Sequence, residues 1–141
     1  MSNSRITGDR CIADRFKERF RNIQHEQCWM LTMTPDHDVI DEHLVADGTA
    51  DSVTILPRTV LRLALLDNAA VFALVHLHPS NDPSPSFDDI YATTCIAVSA
   101  AEIGLRLLDH VICTPSGVHF SFDKSGILRD TQPKHQGQEA C

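Results

Sequence analysis

The stretch His76-Leu77-His78-Pro79-Ser80-Asn81-Asp82-Pro83-Ser84-Pro85-Ser86-Phe87-Asp88-Asp89 decides how this chain is read. It follows the apolar run Val71-Phe72-Ala73-Leu74-Val75, which reads as a strand buried on both faces. Side chains on a strand alternate, so His76 and His78 point the same way. Pro79 ends the strand just beyond them. Neutral imidazole is the commonest metal ligand, and a site needs a third donor. Asp89 can supply it. The turn-rich loop from Ser80 to Pro85 lets the chain double back. A helix then opens at Ser86, which puts Asp89 in its first turn, able to face the strand end. Two His and one carboxylate leave a fourth tetrahedral position for water, the pattern of a catalytic zinc. The plainer readings are polar residues at a strand edge and a capping box with Ser86 as N-cap. Ser86 can do both jobs, capping the helix and lending its hydroxyl to the site.

Working outward, the chain reads as alternating helices and strands. Residues 1–8 read as a disordered start. Ile12, Phe16, Phe20 and Ile23 recur at helical spacing, predicting an amphipathic helix over 9–23. Strands are expected at 28–34 and 39–46 around the turn Pro35-Asp36-His37-Asp38, with Glu42 and His43 on opposite faces of the second. A turn at 48–51 precedes a short strand at 53–56. Pro57 suits the first turn of a helix to about Asp67, with Val60, Leu61, Ala64 and Leu65 on its apolar face. After the His strand, the helix from Ser86 runs to Ile103 and stops at Gly104. Strands at 106–113 and 118–122, a helical turn near 124–128 and a disordered polar tail from Arg129 complete the pattern. Strands mixed with helices make an α/β domain with helices on both sides of a central sheet.

Composition narrows the function classes. At 141 residues and 43% hydrophobic content, the chain suits one domain with a real core. No apolar run is long enough to span a bilayer, and the start does not read as a signal peptide. The five cysteines are scattered, odd in number and without a Cys-x-x-Cys, which suits reduced thiols in a cytoplasm. Cys95 and Cys113 fall in apolar segments and read as small core fillers. Net charge is −7, but residues 1–21 carry +3 and the rest −10. An acidic body is a poor duplex-DNA binder, because phosphate neutralisation supplies most of that affinity. The basic start can touch nucleic acid or an acidic partner, or be a solvated helix face. The zinc deaminase signature, His-Glu-x-x-His and the phosphate-binding glycine loops are all missing. Asp109-His110 cannot be a base-orienting pair, because neighbours on a strand face opposite ways. His110 reads as a packed residue able to support a ligand from behind.

The His-x-His-Pro strand end followed by Ser-x-x-Asp resembles the JAB/MPN metalloprotease pattern, most closely its RadC branch. The resemblance extends to Gly48-Thr49, Pro57-Arg58-Thr59-Val60, Asn68-Ala69-Ala70, Leu108-Asp109-His110-Val111-Ile112 and Ser121-Phe122, covering about residues 27–129. It implies a three-layer α/β/α domain with a mixed central sheet, of the cytidine-deaminase-like architecture. Residues 1–26 would then be a basic segment with its helix, 27–129 the RadC-like JAB/MPN domain and 130–141 a tail. It further implies that His76, His78 and Asp89 bind Zn2+. Ser86 would stabilise the oxyanion formed as a metal-bound water attacks an amide or isopeptide carbonyl. A glutamate from an upstream strand would be the general base. In the branch that glutamate stands four residues before the Gly of Gly-Thr, which here is Leu44. The nearest carboxylate of the same strand parity is Glu42, about 6.5 Å further along a strand. Glu42 is therefore either the base, brought in by a bulge or register change, or an exposed strand carboxylate.

Three functions follow from this reading. The first is a zinc metallohydrolase acting on a peptide or isopeptide substrate. The second, motivated by Leu44, is a catalytically inactive zinc-binding module in protein interaction. The third, by association with the branch's traditional label, is a DNA-repair accessory protein.

Overall fold

Every residue of the strand Val71–Leu77 is buried. The computed structural model, which describes residues 5–131, shows why: this strand is the middle of a five-stranded sheet. The elements in chain order are α1 (Asp9–Phe20), β1 (Gln27–Met33), β2 (Val39–Asp47), α2 (Pro57–Leu66), β3 (Val71–Leu77), α3 (Phe87–Glu102), β4 (Arg106–Cys113), β5 (His119–Ser121) and α4 (Phe122–Ser125). The sheet order is β2-β1-β3-β4-β5. Only β3 and β4 are parallel, joined through α3. The other pairs are antiparallel.

Strand alternation sorts the core into two halves. Phe72 and Leu74 of β3 join Cys28 and Met30 of β1 under Val60 and Ala64 of α2 and Ile96, Ala97 and Ala100 of α3. Ala73, Val75 and Leu77 join Leu31 and Met33 under Ile12, Phe16 and Phe20 of α1. Those three α1 residues are four apart, one face of a helix. Burying each phenylalanine is worth roughly 1.5–3 kcal/mol, so α1 is held by its packing. The result is the expected three-layer α/β/α domain.

Local chemistry fixes the ends. Pro57 starts α2 at a position that needs no N–H. Gly104, at φ 81°, takes the left-handed conformation that stops α3. Several boundaries differ from expectation. Residues 53–56 are not a strand. Their chain instead runs close under Gly48, where Ser52 O hydrogen-bonds Thr49 N at 2.8 Å. The first strand starts one residue earlier than expected, at Gln27. The last helical turn starts at Phe122, where Ser121 caps it by accepting from Lys124 N. Residues 5–8 are ordered: Arg5 bridges to Asp38, and Ile6 is 3% exposed. Arg129–Thr131 also form an ordered turn, with Thr131 N bonded to Leu128 O. The tail expected to be disordered otherwise lies outside the described residues.

Candidate metal centre

The site forms at the carboxyl end of β3, where the chain leaves the sheet for α3. The open edge beyond such strand ends is where α/β sheets hold ligands. His76 and His78 project to the α2/α3 side of the sheet, with their rings edge-to-face and 4.7 Å between centroids. His78 N bonds to Cys113 O at 2.9 Å, tying the end of β3 to β4. The loop then brings Ser86 and Asp89 back over the two rings. Ser86 is the N-cap of α3: its Oγ accepts Asp89 N–H at 3.0 Å, and Asp89 Oδ2 accepts Ser86 N–H at 2.9 Å. This capping box aims the Asp89 carboxylate at the histidines. Oδ2 lies 3.2 Å from His78 Nε2, and Oδ1 lies 3.7 Å from His76 Nδ1. The capping box and the approach of Asp89 to the two histidines are therefore one geometry.

A fourth group stands on the other side. Glu26 Oε1 is 2.7 Å from His76 Nε2, and Glu26, His76 and His78 each offer a donor atom within 4.8 Å of the others. Glu26 is the residue before β1, and its position follows from register. Cys28 of β1 pairs with His76, so Glu26, two residues earlier, faces the same side at the level of His78. Its backbone is held by the Gly48-Thr49 turn: Glu26 N bonds to Thr49 O at 2.7 Å and Gly48 N to Glu26 O at 2.8 Å.

Hydrogen bonds decide which nitrogens carry protons. A backbone carbonyl can only accept, so His78 Nδ1, 2.9 Å from Asp82 O, holds the proton. In the neutral ring Nε2 then carries a lone pair, and in the protonated ring it donates to Asp89 Oδ2. The Glu26 carboxylate likewise places a proton on His76 Nε2, leaving a lone pair on Nδ1. That atom is fully buried and has no hydrogen-bond partner. The two imidazoles thus face the Asp89 carboxylate across a small gap, and Glu26, His76 and His78 form a group that could hold a metal ion. Burial alone would lower the His78 pKa, but the bonds to Asp89 and Asp82 outweigh it and the net shift is upward. Burial likewise opposes ionisation of Asp89, yet the facing imidazoles and the Ser86 N–H hold its carboxyl well below the usual range. The donor set fits zinc: two nitrogens and one or two carboxylate oxygens.

The match to known proteins now has a structural footing. The family model described as RadC-like JAB domain matches residues 6–127. The chain belongs to that family. Its relatives include a UPF0758 protein of Pelobacter propionicus, 32% identical over 88% of this chain and 54% of the relative. A second, from Stenotrophomonas maltophilia, is 36% identical over 84% of this chain and 50% of the relative. A third, from the archaeon Methanosarcina acetivorans, is 32% identical over 79% and 48%. The chain spans about half the length of these curated relatives.

In this RadC-like JAB domain Glu42, expected as the base, is elsewhere. The β1–β2 ladder sets it opposite Leu31, whose side chain packs on the α1 side of the sheet. Its carboxylate pairs with Arg15 Nε at 2.6 Å and Arg19 Nη2 at 2.7 Å, both on α1. Burial opposes its ionisation, but the two guanidinium groups prevail and lower its pKa. Register shifts do occur in the pair, between Cys28 and Trp29 and between Thr32 and Met33, but they do not turn Glu42 through the sheet. Leu44, at the spacing implied by the resemblance, lies opposite Trp29 and is 42% exposed. The carboxylate that joins the histidines is Glu26. The signal for it was its even offset from Cys28, usable only once β1 is known to pair with β3.

Other side chains of the JAB domain fall into place around the centre. His110 lies behind His76, its ring stacked at 5.5 Å on His76 and at 4.5 Å on Phe122. Thr93 Oγ1 is 2.7 Å from its Nδ1. Burial drives the His110 pKa well down, so the ring is neutral packing. Asp109 faces the opposite side, as strand alternation requires, and binds Ser121 Oγ at 2.6 Å. Cys28, buried across from His76, has its thiol pKa pushed up by burial and stays protonated. Cys113 is pushed up to about 12 for the same reason. Cys95 is only half-buried on α3. His119, which had no evident partner in the sequence, bonds Asp9 Oδ2 at 2.8 Å. His43 is half-buried and bonds Asp67 Oδ2 at 2.8 Å, well away from β3's end.

Proposed function

We propose that this chain is a zinc-dependent hydrolase of the JAB type that cleaves an amide or isopeptide bond. His76, His78 and Asp89 would hold the ion, and Glu26 would carry the proton. The observation that supports this most directly is the fully buried His76 Nδ1, which has no hydrogen-bond partner and faces the Asp89 carboxylate beside His78 Nε2. Zinc supplies a Lewis acid for the carbonyl and water that ionises near neutral pH.

The chain's own groups do the rest. Glu26, 8% exposed, lines the same open cavity of about 310 Å3 as His78, Ser86 and Asp89. Its carboxylate can take a proton from attacking water and return it to the leaving amine, a role that contributes roughly 10²–10⁴ in rate. The Ser86 hydroxyl accepts the Asp89 N–H and keeps its own proton free to donate to a developing oxyanion. Buried hydrogen bonds hold both histidine rings from behind, through Glu26 and Asp82, so the ligand geometry is preset. No described helix is long and apolar enough to cross a membrane.

Elemental analysis of the purified chain tests the reading. Near-stoichiometric zinc in wild type and its loss in His78→Ala support it. An absence of zinc after reconstitution overturns it and leaves a binding domain without metal.

A further inference from the structure

We propose that the cavity in front of His78 and Asp89 receives an extended peptide segment carrying lysine or arginine side chains. This rests on the hydrolase reading and narrows its substrate. Three carboxylates outside the ligand set, Asp51, Asp82 and Asp88, line the same cavity as Glu26 and Asp89. No lysine or arginine lines it. Five carboxylates against one divalent ion leave the wall three charges negative. Charge of one sign on a concave, low-dielectric wall is focused into the cleft, drawing in cations and repelling anionic chains.

The carboxylates come from three separate segments that meet only in the fold. Asp51 follows the Gly48-Thr49 turn that positions Glu26, and its carboxylate has no side-chain partner among the described residues. Asp82 sits in the loop between β3 and α3, where its Oδ1 accepts Ser84 N–H at 3.0 Å. Asp88 stands in the first turn of α3, where the helix dipole also favours it. The dipole accounts for Asp88 alone. Behind the lining, the fully buried His76 Nδ1 has no hydrogen-bond partner and is aimed at Asp89, which lines the cavity. Beside Asp88, Phe87 and Tyr91 stand one helical turn apart on α3, 80% and 65% exposed. Aromatic faces next to carboxylates suit the alkyl stems and cationic ends of lysine and arginine. The neighbouring groove, which shares Asp51 and Ser80, contains Arg21, but that guanidinium is engaged by Glu18.

Fluorescence anisotropy with two labelled hexapeptides, one alternating alanine with lysine and one alternating alanine with glutamate, tests this on the whole chain. The lysine peptide should bind more tightly, and Asp51→Asn/Asp82→Asn/Asp88→Asn should weaken it by about tenfold. Asparagine keeps the Oδ1 acceptor that Ser84 N–H uses, so the triple variant should melt as wild type does. A control triple, Asp36→Asn/Glu102→Gln/Asp130→Asn, removes the same charge from elsewhere on the surface and should leave binding unchanged. Equal weakening in both triples, or no preference between the peptides, overturns the proposal. Zinc is measured on the same samples. A chain that holds zinc without preferring lysine loses only this inference. One that prefers lysine without holding zinc loses the hydrolase reading and keeps the cation-binding cleft.

Discussion

Glu26 Oε1 lies 2.7 Å from His76 Nε2, although 50 residues separate the two in the chain. The contact exists because β1 is the antiparallel neighbour of β3, with Cys28 directly opposite His76. It places a carboxylate beside the histidine pair without any contribution from β2.

The first prediction separates the two glutamates. Glu26→Gln should retain zinc and lose roughly 10²–10⁴ in turnover on a cleavable amide or isopeptide. Glu42→Gln should leave turnover and zinc alone. It should instead cost about 1 kcal/mol of stability, because its half-exposed pairs with Arg15 and Arg19 are modest in value. Parallel metal analysis and urea melts distinguish these outcomes. Loss of turnover in Glu42→Gln with Glu26→Gln unaffected would return the base to β2.

The second concerns the turn that holds Glu26. A Cβ on Gly48 would lie 2.1 Å from Ser52 O and 2.8 Å from Val53 Cα, both backbone atoms. Gly48→Ala must therefore push the 52–53 segment away and disturb the two hydrogen bonds between this turn and Glu26. Overpacking of this kind typically costs roughly 1–3 kcal/mol. Turnover should fall with stability, while a Thr49→Ser substitution, which keeps both backbone bonds, should change neither. Calorimetry on the two variants checks it.

The sequence carried the clustering of His76, His78 and Asp89 because all three lie within one local stretch. Strand alternation pairs His76 with His78, and the capping box brings Asp89 back, so neither step needs long-range information. Glu26 was hidden for the opposite reason. Its place depends on which strand sits beside β3, and a spacing counted from Gly48 along β2 points to the wrong neighbour. The Gly48-Thr49 turn does serve the site, but by hydrogen-bonding the backbone of β1's leading residue. The segment 53–56 is not a strand: Val53 and Ile55 pack on the core, while Leu56 is exposed and caps the start of α2. His110 was readable as a packed residue behind a ligand, whereas its stacking on Phe122 required the short β5–α4 junction, which periodicity does not reveal.

The third prediction tests that stack. His110 fills the space between His76 and Phe122, so His110→Ala opens a cavity against His76, a proposed metal ligand. Truncating a buried ring costs roughly 2–5 kcal/mol, and loosening the support of a ligand costs about 10–100-fold in metal affinity. His110→Phe restores the ring without a nitrogen. If it recovers both stability and zinc affinity in a competitive chelator titration, the support is packing. If it recovers stability alone, the Thr93 hydrogen bond sets the ring's orientation.

The last prediction is a pH dependence on the other side of the sheet. Asp109 is 4% exposed, and burial, opposed by its bonds to Ser121 Oγ and to the N–H groups of Asp123 and His110, raises its pKa from 3.8 to about 6. The folded state therefore binds this proton more tightly than the unfolded chain. The stability it contributes is complete below about pH 4 and is lost as pH rises through 6. Asp109→Asn removes the titration and keeps an oxygen for the two backbone donors, with the amide able to donate to Ser121. The unfolding free energy of Asp109→Asn minus that of wild type should rise between pH 4 and 7 by up to about 3 kcal/mol and then level off. A difference that stays flat across that range in urea titrations would show that the carboxyl is not held protonated by its burial.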